Sequence, residues 1–258
     1  MSNCERIGDF ELEVLPSGVA VATFSRPPVN AFSLAVYEAL GKLTDRIAAD
    51  DAIKALVMRA PEEARAWCGG ADLKDFEGIT KTQREERYAF INRQLPKFHA
   101  LDRPTIAAIA KPAVGIGMVL SSLFDFRVAA REAKFALPEV DFGLLSGCAG
   151  RFVALRLPEP KLREMLYTGR KYTAAELQPT GFFNYVVDAD DVLPRAMALA
   201  EEVAAKDSAI MRARKHDSLK LEGDAWFEAY LAAQQGSAAM VENDASRAGV
   251  AAALHRKG

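Results

Sequence analysis

Short β-rich runs alternate with amphipathic helices and glycine turns along this chain. This constrains it more than any other feature, because such runs need a sheet with helices packed on it. The first two, residues 10–15 and 19–25 in "FELEVLPSGVAVATFS", are joined by Pro16-Ser17-Gly18, a hairpin signature. Ser33 is placed to cap the next segment, where Leu34, Tyr37, Leu40, Leu43 and Ile47 recur at the three- and four-residue steps of a half-buried helix. A strand is expected at 53–60, then a loop over 61–79 containing Gly69, Gly70 and Gly78. A helix over about 82–100 precedes Pro104 and a buried strand, "TIAAIA", at 105–110. A glycine turn leads to a short helix near 117–124, strand-like "DFRVAA", and "KFALPEVDFGLL". From about residue 148 onward the periodicity is helical, apart from "NYVV" at 184–187. The expected class is α/β, a β-β-α rhythm with a helical tail, and no repeat is similar enough to mark a solenoid.

Composition narrows the function. At 258 residues, half of them apolar, the chain can close a full core. Its 33 Lys and Arg against 35 Asp and Glu leave a net charge of −2, which gives no global field for nucleic acid or an anionic membrane. Cys4, Cys68 and Cys148 are odd in number and far apart, without the spacing of a zinc site or a disulfide framework, which fits a reducing compartment. "MSNCERIGDFELEV" carries charges where a signal peptide is apolar, and no run approaches the roughly 18 to 20 apolar residues of a membrane span. A soluble, cytoplasmic protein without nucleic-acid or membrane partners is expected.

Several catalytic motifs are absent. His99, His216 and His255 have no metal-ligand spacing. Gly115-x-Gly117 fails the dinucleotide fingerprint, since Leu120 stands at the third glycine position, and it lacks the Lys-Ser/Thr of a phosphate loop. Ser121 and Ser122 are not in a nucleophile elbow, and "RARKH" at 212–216 reads as a solvated helix face. Two glycine-rich loops remain, "AWCGGADLKDF" at 66–76 and "KPAVGIGMV" at 111–119, each after a buried strand and before a helix. Such turns can aim main-chain N–H groups at one oxygen, as an oxyanion hole does, or can serve only as tight packing turns; the glycines leave both readings open.

The set "SRPPVNAFS", "CGGADLKDF", "RPTIAAIAKPAVGIG", "FALPEVDFGLL" and "LYTGRKYTAAELQPTGFFNYVV" resembles the crotonase superfamily, the enoyl-CoA hydratase/isomerase family, in order and spacing along nearly the whole chain. The resemblance implies a crotonase-like spiral of β-β-α units with a helical C-terminal region. It divides the chain into a spiral core with the CoA site over 1–195 and helices over 196–258 that pack on the core or on a neighbouring subunit. It further implies homotrimers or hexamers and acyl-CoA substrates, with CoA as part of the substrate and no separate cofactor or metal. Carried over by position, the oxyanion donors are the N–H groups of Ala71 and Ile116. The family commonly has glycine at the second of these. For CoA and acyl binding the resemblance points to Val29, Ala31, Gly70, Asp72, Leu73 and Gly117, with Arg26 and Lys74 as candidate phosphate partners.

Two glutamates share water addition in the hydratases this chain resembles. The position of the first is Val119 here; the second is matched by Glu139. Read without the family, Glu139 beside Pro138 is a solvent-facing strand-end residue. Asp141 lies on the same side if the strand continues, open as a second acid or a structural anion. The dienoyl-CoA isomerase branch has an aspartate where Gly147 stands. One carboxylate can remove a proton at C2 and return it at C4, whereas hydration divides its proton transfers between two. The expectation is therefore a Δ3,Δ2-enoyl-CoA isomerase with Glu139 as base. The alternatives are an enoyl-CoA hydratase with one catalytic glutamate, or a non-catalytic acyl-CoA binding protein.

Overall fold

Strands apolar at almost every position, rather than at alternate ones, need cover on both faces. The middle of this fold supplies it. The computed structural model describes residues 4–223 and 225–255, all but 149 and 150 with their side chains. The chain opens with strands β1 (Cys4–Ile7), β2 (Phe10–Val14) and β3 (Val19–Phe24), helix α1 (Leu34–Ala48) and strand β4 (Ala55–Arg59). Helices α2 (Lys81–Ile91) and α3 (Leu95–His99) follow, then strands β5 (Thr105–Ile109) and β6 (Ala113–Val114) and helix α4 (Ile116–Ser122). Next come β7 (Phe126–Ala130), β8 (Lys134–Ala136), α5 (Ala149–Phe152), α6 (Glu159–Thr168), β9 (Tyr172–Thr173), α7 (Ala174–Leu177) and β10 (Tyr185–Val187). Helices α8 (Val192–Ala204), α9 (Ser208–Glu222), α10 (Ala225–Met240) and α11 (Asp244–His255) end the described chain.

Among the described residues the main sheet has the order β1-β2-β3-β4-β5-β7-β10. The first two pairings are antiparallel and the rest parallel, with Ala20 opposite Leu56, Val57 opposite Ile106 and Ala108 opposite Val128. A second layer is built from shorter pieces. Phe32 bridges to Ala71, Cys68 to Ala113, and β6 pairs with β8, which pairs with β9. Each turn of the chain thus gives a long strand to one layer and a short extended piece to the other before its helix: β3, Phe32 and α1; β4, Cys68 and α2; β5, β6 and α4. This is the expected β-β-α spiral.

Local chemistry explains most boundaries. At the first hairpin Gly18 takes φ 87°, and the Leu15 N–H donates to Val19 O at 2.9 Å. In α1 the residues Tyr37, Leu40, Leu43 and Ile47 are buried, but Leu34 is exposed, and Ser33 occupies the N-cap position without a side-chain capping bond. The helix expected over 82–100 is two, α2 and α3. Pro96 sits in the first turn of α3, where its missing N–H costs nothing but where it could not continue a helix from before. β1 and the two-residue β9 were not foreseen. Phe10, Phe24, Phe32 and Tyr37 form a chain of ring contacts, with centroids 4.9 to 5.3 Å apart, from the main sheet to the second layer.

The C-terminal helices are held to the spiral by polar ties at buried positions. Lys215 Nζ lies 2.6 Å from Asp125 Oδ1, whose other oxygen accepts from the Thr105 N–H at 2.8 Å. Glu222 meets His99 Nε2 at 2.7 Å and Arg156 Nη2 at 2.5 Å. Helix α10 packs on α2, and α11 on the turn at residues 138–142. No helix among the described residues is long and apolar enough to cross a membrane.

Gly117 shows how tightly the layers meet. A Cβ there would sit 2.3 Å from the Cys68 carbonyl oxygen and 3.0 Å from Cys68 Cβ, and a backbone carbonyl cannot step aside without moving its strand. Gly117→Ala is expected to destabilise the protein by about 1–3 kcal/mol, read as a lower urea midpoint at unchanged slope. An unchanged midpoint would show that the contact between α4 and residue 68 is slack.

Candidate active site

Residues 67–72 form the floor of the site by lying between two other segments. On one side Gly69 N–H donates to Val29 O at 2.8 Å, Phe32 N–H to Gly70 O at 2.8 Å, and Asp72 N–H to Phe32 O at 2.9 Å. On the other, Trp67 N–H donates to Pro112 O at 2.9 Å and Val114 N–H to Cys68 O at 3.0 Å. The bonds to Phe32 come from the residues flanking Ala71, so in this parallel arrangement the Ala71 N–H points away from that segment. Asn30 pins the outer loop, taking φ 53°. Its Oδ1 accepts from the Arg26 N–H at 2.7 Å, and its Nδ2 donates to Phe24 O and Ala66 O at 3.1 and 3.0 Å.

Gly70, at φ 112°, and Gly115, at φ 57°, adopt backbone conformations that other residues rarely hold. Gly115 N–H donates to Ala136 O at 2.9 Å, tying the second turn to β8. Ile116 then opens α4, so its N–H has no acceptor within the helix. Neither the Ala71 nor the Ile116 N–H has a hydrogen-bond acceptor among the described residues, and both residues border one cavity of about 630 Å³.

Glu139 enters this cavity from a 3-10 turn, Pro138–Phe142, closed by Gly143 at φ 63°. A Cβ on Gly115 would lie 3.4 Å from Glu139 Oε1 and 3.7 Å from Gly70 Cα, so the two glycine turns and the carboxylate converge. Glu139 Oε2 is buried without a hydrogen-bond partner. Burial raises the carboxyl from its ordinary 4.5 to about 7, opposed by its own backbone N–H and the positive field of Arg84.

The strand ends before Glu139, and this changes the reading of Asp141. In a 3-10 turn two residues are about 240° apart around the axis, so Asp141 does not share Glu139's side. Its carboxylate lies over Gly169, where an added Cβ would meet both oxygens within 2.9 Å. Asp141 and Lys171, both exposed, still border the cavity. Val119, 1% exposed, forms part of the wall one turn after Gly115, with its N–H on Gly115 O at 3.2 Å. Gly147 has a steric reason: a Cβ there would fall 2.3 Å from Tyr88 Oη, so the tyrosine occupies the space a side chain at 147 would need.

Of the other residues singled out by sequence, Gly70 and Leu73 border the cavity, while Val29, Ala31, Arg26, Asp72 and Gly117 stand behind or beside it. Arg26 is already engaged, with Nη1 on Ala31 O at 2.8 Å and Nη2 on Asp72 Oδ2 at 2.7 Å. For Asp72, partial burial works upward, but the bonds from Arg26 and the Lys74 N–H prevail and hold its carboxyl below the ordinary value. Lys74 is exposed. Cys148 borders the cavity with its thiol raised by burial, which keeps it protonated. No group of three or more potential metal ligands occurs among the described residues.

Sequence reasoning missed the far wall. Arg84, Arg87, Tyr88 and Ile91 follow the i, i+3, i+4, i+7 pattern of a buried helix face, and all four are buried against the cavity. The spacing was visible, but two arginines conceal an inward face from any apolar pattern.

Solved structures share the fold. An enoyl-CoA hydratase/isomerase from Mycobacterium paratuberculosis superposes with TM-score 0.84 at 22% identity, covering 95% of this chain and 98% of that one. An enoyl-CoA hydratase from Mycobacterium smegmatis superposes with TM-score 0.79 at 27% identity, covering 98% and 97%. The family description "Enoyl-CoA hydratase/isomerase" matches residues 15–256. YngF of Bacillus subtilis (strain 168), named as an enoyl-CoA hydratase/isomerase, is 32% identical over 202 residues, 76% of each chain. The chain belongs to the enoyl-CoA hydratase/isomerase family of the crotonase superfamily, whose members act on acyl-CoA thioesters.

A carboxylate raised to about 7 accepts protons only above that pH. For any reaction in which Glu139 is the base, kcat/KM is expected to fall about tenfold per unit below pH 7 and to level off above it. A limb near 4.5 in the pH–rate profile would show that Glu139 is solvated.

Proposed function

We propose that the protein is a Δ3,Δ2-enoyl-CoA isomerase in which Glu139 acts alone. The observation that carries this reading is one carboxylate with a buried, unpartnered oxygen beside two glycine turns, with apolar Val119 where a second acid would have to stand. In the proposed cycle Glu139 takes a C2 proton from a 3-enoyl thioester, and the electron pair passes to the carbonyl oxygen. The N–H groups of Ala71 and Ile116 receive that oxyanion, at about 3–4 kcal/mol per donor. The dienolate then recovers the proton at C4 from Glu139, which leaves the double bond between C2 and C3 and restores the carboxylate. An apolar wall keeps water from C3, and the base, raised to about 7, is matched to proton transfer near neutrality.

Hydration by Glu139 is the second reading, favoured by relatives named as hydratases. Water addition needs a proton delivered at C2 as water is deprotonated at C3, and Asp141 is turned onto Gly169. As part of the same proposal the chain works as a trimer or a hexamer, which sedimentation of the purified protein measures.

Purified enzyme offered trans-3-hexenoyl-CoA and crotonyl-CoA is expected to conjugate the first faster than it hydrates the second. Glu139→Gln is expected to lower the isomerisation by about 10²–10⁴-fold. Hydration as fast as isomerisation would assign the hydratase instead. Turnover untouched by Glu139→Gln would remove Glu139 from the chemistry.

A further inference from the structure

The reaction proposed above uses no cation, yet the cavity holds a buried one. Arg84 is 6% exposed, and its hydrogen-bond partners are neutral. Nη2 donates to Tyr88 Oη at 2.8 Å and reaches Ser237 Oγ at 3.5 Å, while Nε is buried without a partner. The guanidinium carbon lies 4.4 Å from the Phe76 ring centre and 4.6 Å from that of Tyr88. One turn further on, Arg87 is different: its Nη1 meets Asp75 Oδ2 at 2.7 Å. No carboxylate among the described residues lies within ion-pair distance of Arg84.

A desolvated guanidinium without a counter-charge is costly, and protein interiors normally pair it. Here two rings fix its plane, and Tyr88 Oη is itself held by donating to Ser237 Oγ at 2.7 Å. This fork is preorganised and borders the reaction cavity, and the Glu139 carboxylate, which feels its charge through space, does not meet it in an ion pair. An arriving carboxylate would match its geometry and supply the missing charge. Lys171, the third cation bordering the cavity, is exposed.

We infer that the acyl group carries a carboxylate at its far end and that Arg84 reads it, so that the substrates are mono-CoA thioesters of dicarboxylic acids. The inference rests on the acyl-CoA reading of the site and adds the acyl class to it. A phosphate of CoA itself is the other source of negative charge. Thioesters that share CoA and differ only at the acyl terminus separate the two sources.

The test is equilibrium binding of saturated thioesters, which can be neither isomerised nor hydrated. Succinyl-, glutaryl-, adipoyl- and suberoyl-CoA are compared by calorimetry with butyryl-, pentanoyl-, hexanoyl- and octanoyl-CoA. Wild type is expected to bind at least one dicarboxylic member about tenfold or more tighter than its neutral partner of the same length. Arg84→Gln should bring that ratio to about one, and Arg84→Lys, which keeps the charge but not the fork, should keep part of it. The ratio also separates reading of the substrate from tuning of Glu139, because a lost field at Glu139 would shift the pH profile for neutral and anionic substrates alike. No preference in wild type at any length, or a preference that survives Arg84→Gln, overturns the inference while neutral thioesters still bind and the proposed reaction stands. If no CoA thioester binds, both fall. If Arg84→Gln does not fold by circular dichroism, the wild-type ratio and Arg84→Lys decide.

Discussion

The structure depends on one three-segment seam, in which residues 67–72 are hydrogen-bonded to residues 29–32 on one side and 112–114 on the other. The seam consumes main-chain groups on alternate residues and leaves the Ala71 N–H turned away from Phe32. It also brings Gly70 against the turn at Gly115, where neither position can carry a side chain without strain. Asn30 and the Arg26–Asp72 pair lock the outer edge. Two main-chain donors and a carboxylate from a third segment therefore meet through backbone geometry, not through flexible side chains. The proposed second donor, at Ile116, belongs to the main chain, so this scheme does not depend on the side chain there.

Burial sets the electrostatics around that point. Glu139 ends at an oxygen with no partner and is raised to about 7, which suits the proposed cycle, where the base gives back the proton it takes. Val119 and Ile116 keep the near wall apolar, while α2 brings Arg84, Arg87 and Tyr88 to the far wall. Tyr88 fills the space beside Gly147, so the far wall leaves no room for a side chain at 147. The C-terminal helices complete the enclosure: Ser237 of α10 holds Tyr88, and Gly249 and Ala253 of α11 border the cavity.

Much of the spiral was legible because its signals are local. Short apolar runs, Pro16-Ser17-Gly18 and the two glycine loops mark strands and turns by chemistry that neighbours do not override. Less was legible where long-range pairing decides. Tyr172 and Thr173 become a strand only because Lys134 and Phe135 lie beside them, and Cys4–Ile7 only because β2 accepts it. The turn at Pro138–Phe142 rotated Asp141 away from Glu139, which strand alternation had placed together. Arg84 stayed hidden because a buried cation looks like a solvated one until the helix face is known.

The central claim is that Glu139 removes a C2 proton from a thioester whose oxygen rests on two main-chain N–H groups. Deuterium uptake into a saturated thioester measures this step apart from isomerisation and hydration. Hexanoyl-CoA and adipoyl-CoA are incubated in deuterium oxide and followed by mass spectrometry, with wild type beside Glu139→Gln. The account predicts enzyme-dependent deuterium at C2 with wild type and none above the uncatalysed background with Glu139→Gln. Equal exchange by both proteins, or no exchange by wild type although the thioesters bind, would contradict it.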